Sequence, residues 1–480
     1  MEKCSFCIVF FIEKCIFAIS NIIEKCKFML YRKIRTYIED YLRSAEDKIL
    51  LIEGARQIGK SYIISDVGKQ VYKNYVEINF VLDDEGDKIF KNVSTTEEFY
   101  LKLSIVAGSK LDKYENTLVF IDEIQHYPQF LTMLKFLRQE KRYRFICSGS
   151  LLGITLRKTI SVPVGSIIPK KMYQLDFEEF LIANNFGDEA IDFLRKSFEN
   201  KKALPEDIHN KVLGLFKRYL LVGGMPDAVN VYLATHNIVK VREVQESIVD
   251  LYGVDASRYE EENSKKLKIR RIYDMIPSQM ENKKKRVVVK DIQGKKGDRY
   301  DNYIEEFEYL TCSGIAIGVN AISNPKYPLA ESEHKNLIKL YMNDVGMLTL
   351  KLYGINIEPV LNDVESINLG SVYENVVAQE LKAHYKKIFY YDNKNKGEVD
   401  FLVDDNKELS ALPIEVKSGK DYSVHSALDN LMRVPDYHIN SSIVFSNERE
   451  VFYKGKVLYL PIYYVMFMGE KLLDEEKLYF

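Results

Sequence analysis

Regular patterning of apolar and polar positions begins near residue 30. Apolar side chains recur at helical spacing over residues 30–42, and an unbroken run, Ile49-Leu50-Leu51-Ile52, follows with the pattern of a strand buried on both faces. Residues 61–66 can continue as a helix. The strand pattern returns at residues 75–80, at 117–121 (Thr117-Leu118-Val119-Phe120-Ile121) and at 143–147, and a last strand is expected over residues 171–175, entering a helix that runs through Leu181. Strands alternating with helices predict a three-layer α/β unit with a parallel sheet over residues 29–205.

Beyond it the spacing turns helical. Residues 211–222 form one periodic stretch, ended by Gly223-Gly224-Met225-Pro226, and residues 238–251 form another. An amphipathic helix at residues 300–312 is followed by a two-stranded pattern over residues 315–341, so residues 206–360 read as helices leading to a hairpin, consistent with a winged-helix-like unit. Residues 361–480 return to α/β patterning: a helix from Gly370 to Lys387, then strands at 388–391, 397–403 and 412–417.

Residues 1–28 stand apart. Glu2-Lys3-Cys4, Glu13-Lys14-Cys15 and Glu24-Lys25-Cys26 repeat every eleven residues, close to three helical turns, and four of the six cysteines lie here. Their apolar runs are too short to span a bilayer. The preferred reading is a translated upstream repeat, with the working protein starting near Met29.

Composition changes this picture little. With 68 Lys and Arg against 70 Asp and Glu, the net charge of −2 implies no global attraction to nucleic acid or membrane. Locally, residues 265–299 are basic, carrying Lys265, Lys266, Lys268, Arg270, Arg271, Lys283, Lys284, Lys285 and Arg286 among others. Contact of this stretch with DNA and a solvated or protein-facing surface are equally open, because the next helix carries Asp301, Glu305, Glu306 and Glu308, a poor face for phosphates. Cys147 and Cys312 sit singly in apolar surroundings, which fits a reduced, cytoplasmic protein.

The chemistry concentrates at Gly54-Ala55-Arg56-Gln57-Ile58-Gly59-Lys60-Ser61, a G-x-x-x-x-G-K-S loop between a buried strand and a helix. Such a loop curls backbone N–H groups around a polyphosphate. Gly54, Gln57, Gly59, Lys60 and Ser61 are the expected ATP contacts, with Lys60 on the β- and γ-phosphates and Ser61 on Mg2+. The strand at 117–121 runs into Asp122-Glu123, where a parallel strand beside the loop would deliver them: Asp122 to Mg2+ and Glu123 to the attacking water. After the strand at 143–147, Ser148 or Ser150 can sense the γ-phosphate, although a helix cap is an equal reading.

The phosphate loop, Ile121-Asp122-Glu123-Ile124-Gln125, Cys147-Ser148-Gly149-Ser150, Leu175-Asp176-Phe177-Glu178-Glu179-Phe180 and Gly223-Gly224-Met225-Pro226 together resemble a large prokaryotic family. Its members are AAA-type P-loop ATPases with a carboxy-terminal domain of unknown function related in fold to restriction endonucleases. The resemblance implies that fold for residues 361–480 and a winged helix in the middle. The family usually carries Gly-Arg ahead of the last strand of the first sheet, whereas this chain has Val164-Gly165-Ser166. A multi-subunit motor, which needs an arginine acting on a neighbour's nucleotide, is thereby disfavoured, and Arg157 is the nearest substitute.

In the terminal unit, Asp400 and Glu415-Val416-Lys417 match the D…E-x-K constellation of restriction-endonuclease-like folds. Side chains alternate along a strand, so Glu415 and Lys417 share a face that Asp400 can reach from the paired strand. Asp400 and Glu415 would bind Mg2+, Glu374 would complete the shell and Lys417 would position or deprotonate water. A cross-strand salt-bridge ladder produces the same pattern. The expected protein binds and hydrolyses ATP and acts on or with DNA through its last unit; the alternative is an ATP-gated regulatory module whose nuclease-like unit only docks DNA or a protein partner. No membrane partner is expected, and an oligomer is open.

Overall fold

The structure is a computed structural model that describes residues 29–150, 165–258, 263–282, 285–293, 299–362, 364, 367–419 and 422–469. The repeat in residues 1–28, Arg157, and Lys283 and Lys284 lie outside them.

Two sheets organise the chain. The first contains β1 (Ile49–Glu53), β2 (Asn74–Asn79), β3 (Thr117–Asp122), β4 (Arg144–Gly149) and β5 (Ile167–Lys171), in the order β2-β3-β4-β1-β5 and parallel throughout. Strands β3 and β4 are buried along their whole length, in keeping with their central apolar runs, Leu118–Ile121 and Phe145–Cys147, between helices on both faces. The last strand differs from expectation: Lys171 ends β5 instead of starting it. An edge strand needs only one buried row, so Ile167-Ile168-Pro169-Lys170-Lys171 suffices, and the apolar residues Met172 and Leu175 are left to pack against the phosphate loop and the Gly223-Gly224 turn.

Helices α1 (Ile34–Arg43) and α2 (Lys60–Val71) lie against this sheet. Helix α3 (Phe177–Ala183) is capped by Asp176, whose carboxylate accepts the N–H of Glu179 at 2.9 Å. Then come α4 (Glu206–Val222), α5 (Pro226–Thr235), α6 (Ile238–Arg258) and α7 (Asn263–Glu281).

The hairpin of β6 (Ala316–Ile322) and β7 (Glu333–Met342) forms where two strands are expected, but it is not a free-standing wing. It belongs to a mixed eight-stranded sheet with β8 (Phe389–Asn393), β9 (Gly397–Asp405), β10 (Ser410–Val416), β11 (Ser442–Ser446), β12 (Phe452–Lys454) and β13 (Val457–Pro461), ordered β12-β13-β11-β10-β9-β8-β6-β7. The reason lies in β6: Ala316, Ile317, Val319, Ala321 and Ile322 are all buried, so the strand is apolar on both faces and has no side to give to solvent. It pairs with β8 in parallel through Asn320, Ala321 and Ile322. The terminal sheet thus draws strands from both sides of residue 360.

Helix α8 (Gly370–His384) is buried from Ser371 to Leu381 and packs on the second sheet. One core runs through both halves, joining Leu50 and Ile52 of β1 to Val376 of α8, Phe401 of β9 and Ile414 of β10. No described helix is long and apolar enough to cross a membrane.

Candidate functional site

Strand β1 delivers the chain to the phosphate loop and α2 carries it away. Gly54 passes so close to the segment after β5 that a Cβ there would come within 2.3 Å of the Met172 carbonyl oxygen. Gln57 and Gly59 take left-handed backbone angles, φ 62° and 88°, which turn the N–H groups of the loop inward. Lys60 folds back onto the loop, its Nζ donating to the carbonyls of Gly54 (3.0 Å) and Ala55 (2.7 Å). Burial lowers its pKa, opposed by the charges of Glu123 and Asp122.

Adjacent strands bring the acids to the loop. Ser61 Oγ donates to Asp122 Oδ2 at 2.7 Å, and Asn79 Nδ2, at the end of β2, donates to the same oxygen at 3.0 Å. The hydroxyl and carboxylate of this pair are the hard oxygen donors that Mg2+ prefers, so the residues fit the ion the loop implies. Glu123, just past β3, sits at φ 51° in the left-handed region, a conformation a glutamate keeps only when its surroundings hold it. Ser150 Oγ donates to its Oε2 at 3.0 Å, and Gln125 Nε2 donates to the same oxygen.

The two serines therefore divide. Ser148 donates to Asp122 Oδ1 and Ser150 to Glu123, so each is bound to one of the acids. Ser166, where the resembled family carries arginine, is buried, and its carbonyl accepts the Ile49 N–H at 2.9 Å.

Several contacts carry no local motif. Arg32 donates to the carbonyls of Ile58 (2.8 Å) and Tyr173 (2.5 Å) and pairs with Glu179 at 3.0 Å, so it clamps the loop to the segment entering α3. Tyr252 Oη, on α6, donates to the Arg56 carbonyl at 2.9 Å. A cavity of about 200 Å³ opens beside Gln57, Gly59 and Tyr62 and is closed by Pro226, Asp227 and Asn230 at the start of α5.

The second cluster lies on the terminal sheet. Asp400 on β9 accepts the Val416 N–H at 2.8 Å, and Lys417 Nζ lies 2.8 Å from Glu415 Oε1. Glu374 on α8 is paired with Lys285 and faces the Tyr341 hydroxyl at 3.5 Å. Lys339, fully buried on β7, pairs with Glu398 at 2.5 Å. Burial and the charge of Asp400 push Glu415 up to about 8 and Glu374 up to about 6, against the pull of the lysines. The four residues predicted from the D…E-x-K pattern thus feel one another's charge. Yet among the described residues no three acid, His or Cys side chains are placed to hold a metal ion. Lys417 takes up Glu415 Oε1, Lys285 takes up Glu374 Oε1 and the Val416 N–H takes up Asp400 Oδ2, so the cluster in this arrangement does not fit Mg2+.

Part of the basic stretch is matched inside the chain. Lys265 pairs with Glu305, Lys268 with Glu306 (3.4 Å) and Arg286 with Asp392 (3.1 Å). Two of the acids that make residues 301–308 a poor phosphate face, Glu305 and Glu306, are thus partners of lysines on α7.

Residues 46–181 match the family described as an AAA domain. The first unit is an AAA-type P-loop ATPase domain. Residues 213–357 and 369–465 match two domains of unknown function, DUF8612 and DUF4143. The first match supports ATP binding and hydrolysis by this chain. A search of curated proteins found no match. Among solved structures the chain is similar to a Walker-type ATPase of Pyrococcus abyssi (14% identity, 68% of this chain and 96% of that one, TM-score 0.41). It is also similar to the ORC2 protein of Aeropyrum pernix (13%, 71% and 96%, TM-score 0.36) and to Hsp104 of S. cerevisiae with ADP (12%, 71% and 48%, TM-score 0.28).

Proposed function

We propose that the chain is a Mg2+-dependent ATPase that uses its nucleotide state to switch a terminal unit acting on DNA in the cytoplasm. The observation that carries the ATPase half is the Ser61–Asp122 contact at 2.7 Å beside a left-handed phosphate loop. Gly54, Gln57 and Gly59 would turn N–H groups to the phosphates, and Lys60 would exchange the carbonyls of Gly54 and Ala55 for phosphate oxygens. Ser61 and Asp122 would hold Mg2+, which supplies charge neutralisation on the phosphates when bound. Glu123, oriented by Ser150 and Gln125, would accept the proton of the attacking water.

The DNA half rests on the pattern of Asp400, Glu415 and Lys417 and on the restriction-endonuclease-like fold that the family resemblance implies for this unit. A second reading is favoured by the lysine pairing of that cluster: an ATP-gated module whose terminal unit docks DNA or a protein without cutting. Labelled linear, branched and single-stranded DNA, incubated with Mg2+ with and without ATP, separates the two. Cleavage lost in Lys417→Ala and dependent on Lys60 supports the switchable nuclease. Stoichiometric binding without scission, with ATP hydrolysis intact, supports the docking module. Absence of ATP hydrolysis that is sensitive to Lys60→Ala and Glu123→Gln overturns both.

A further inference from the structure

The acid cluster of the terminal sheet already holds a cation, and that cation arrives from another part of the chain. Lys285 lies just after α7, 89 positions before Glu374, whose carboxylate it contacts. It is placed by a short strap. The Val287 N–H donates to the Ile338 carbonyl of β7 at 3.0 Å, the Val288 N–H donates to Gln279 Oε1 at 3.0 Å, and Arg286 pairs with Asp392 on β8 at 3.1 Å. Four successive residues thus run beside β7, the edge strand of the sheet, and set one ammonium group among the acids.

The cluster retains capacity for a ligand. Glu415 is only 6% exposed, and its Oε2 has no hydrogen-bond partner although its Oε1 meets Lys417. A buried carboxylate oxygen without a donor is costly, and such an oxygen beside Asp400 and Glu374 marks a place where a further positive charge would be held.

We infer that Lys285 is a tethered counter-ion that keeps this cluster closed to divalent metal, and that the cluster admits a metal ion only when the 285–288 strap lifts. The inference rests on reading the cluster as the working site of the terminal unit. The strap follows α7, which packs through Ile269, Ile272 and Tyr273 in the same core as Ile248 and Tyr252 of α6. Tyr252 holds the Arg56 carbonyl of the phosphate loop, so rearrangement of that loop around nucleotide acts on the helix pair that carries the strap.

Mn2+ titrated into the full chain without nucleotide, followed by the paramagnetic resonance signal of the free ion, tests this. Lys285→Gln should bind Mn2+ about tenfold more tightly than wild type or more, because a full opposing charge is removed at close range. Adding Asp400→Asn should abolish the gain, and Lys285→Arg should behave as wild type. Arg286→Ala, which frees the strap and leaves the Lys285 charge in place, should give a smaller gain in the same direction and carries the test if Lys285→Gln does not fold. Mn2+ binding that depends on Asp400 and is equal in wild type, Lys285→Gln and Arg286→Ala would overturn the counter-ion while sparing the site. Binding independent of Asp400 in every variant would overturn the reading of the site, and the counter-ion with it.

Discussion

The carboxylate of Asp344, just past β7, accepts the backbone N–H of Gly224 at 2.7 Å, and the Gly224 carbonyl accepts the Leu175 N–H at 2.8 Å. The terminal sheet, the turn between α4 and α5, and the segment entering α3 are thereby joined at one point behind the phosphate loop. This explains the paired glycines: a Cβ on Gly223 would come within 2.1 Å of Asp344 Oδ1, and one on Gly224 within 2.0 Å of the Leu175 carbonyl oxygen. Gly224→Ala should therefore destabilise the chain by roughly 3 kcal/mol, at the upper end for overpacking because the obstruction is backbone. A fall in melting temperature no larger than that of Gly187→Ala, where a Cβ meets nothing within 4 Å, would contradict this.

Asp344 also makes the junction pH-sensitive. Burial raises its pKa to about 6 against the N–H groups of Gly224, Met347 and Gly346 and the charge of Arg242. The folded chain then binds a proton between about pH 4 and 6 that the unfolded chain has released. This favours folding at the acid end, and the benefit is lost as pH rises through 6. A shift of this size corresponds to roughly 3 kcal/mol. The melting temperature of wild type minus that of Asp344→Asn should fall from pH 4.5 to 7; a constant difference would show that Asp344 does not titrate there.

The division of the serines gives different kinetic signatures. Ser148→Ala removes a donor from Asp122 and should raise the Mg2+ concentration for half-maximal ATPase activity by roughly tenfold, with kcat retained at saturating Mg2+. Ser150→Ala leaves Glu123 Oε2 with Gln125 as its one remaining side-chain donor among those named above and should lower kcat roughly tenfold with little change in Mg2+ dependence. Steady-state ATPase assays over a Mg2+ series distinguish them, and identical profiles would refute the assignment.

Arg32 should matter for nucleotide affinity. Lys at this position keeps a charge for Glu179 but cannot also reach the Ile58 and Tyr173 carbonyls. We expect Arg32→Lys to raise the KM for ATP about fivefold and leave kcat within about twofold, as loosening of the loop would do. A changed kcat at unchanged KM would place Arg32 in the chemical step instead.

What was legible in the sequence follows from how each residue acts. Lys60, Ser61, Asp122 and Glu123 announce themselves because a phosphate loop and an acid-ended strand require contiguous residues of fixed type. Arg32, Tyr252 and Asp344 do not, because each acts on backbone atoms brought near by the fold, and any chain segment offers a carbonyl or an N–H. The hairpin of β6 and β7 was legible as two strands but not as part of the second sheet, since alternation reports which face is buried and not which edge is paired. Lys285 was visible only as one cation in a basic stretch; its match to Glu374 depends on the strap beside β7.

The pairing of β6 with β8 has a consequence for ancestry. The two families matched by the second half of the chain meet near residue 360, yet they contribute to one sheet. A recombination event cutting there would deliver β8 to a new host with its edge exposed and leave β6 behind with no neighbour on that side. The two segments build one sheet, and the seam between the families is not a seam in the molecule.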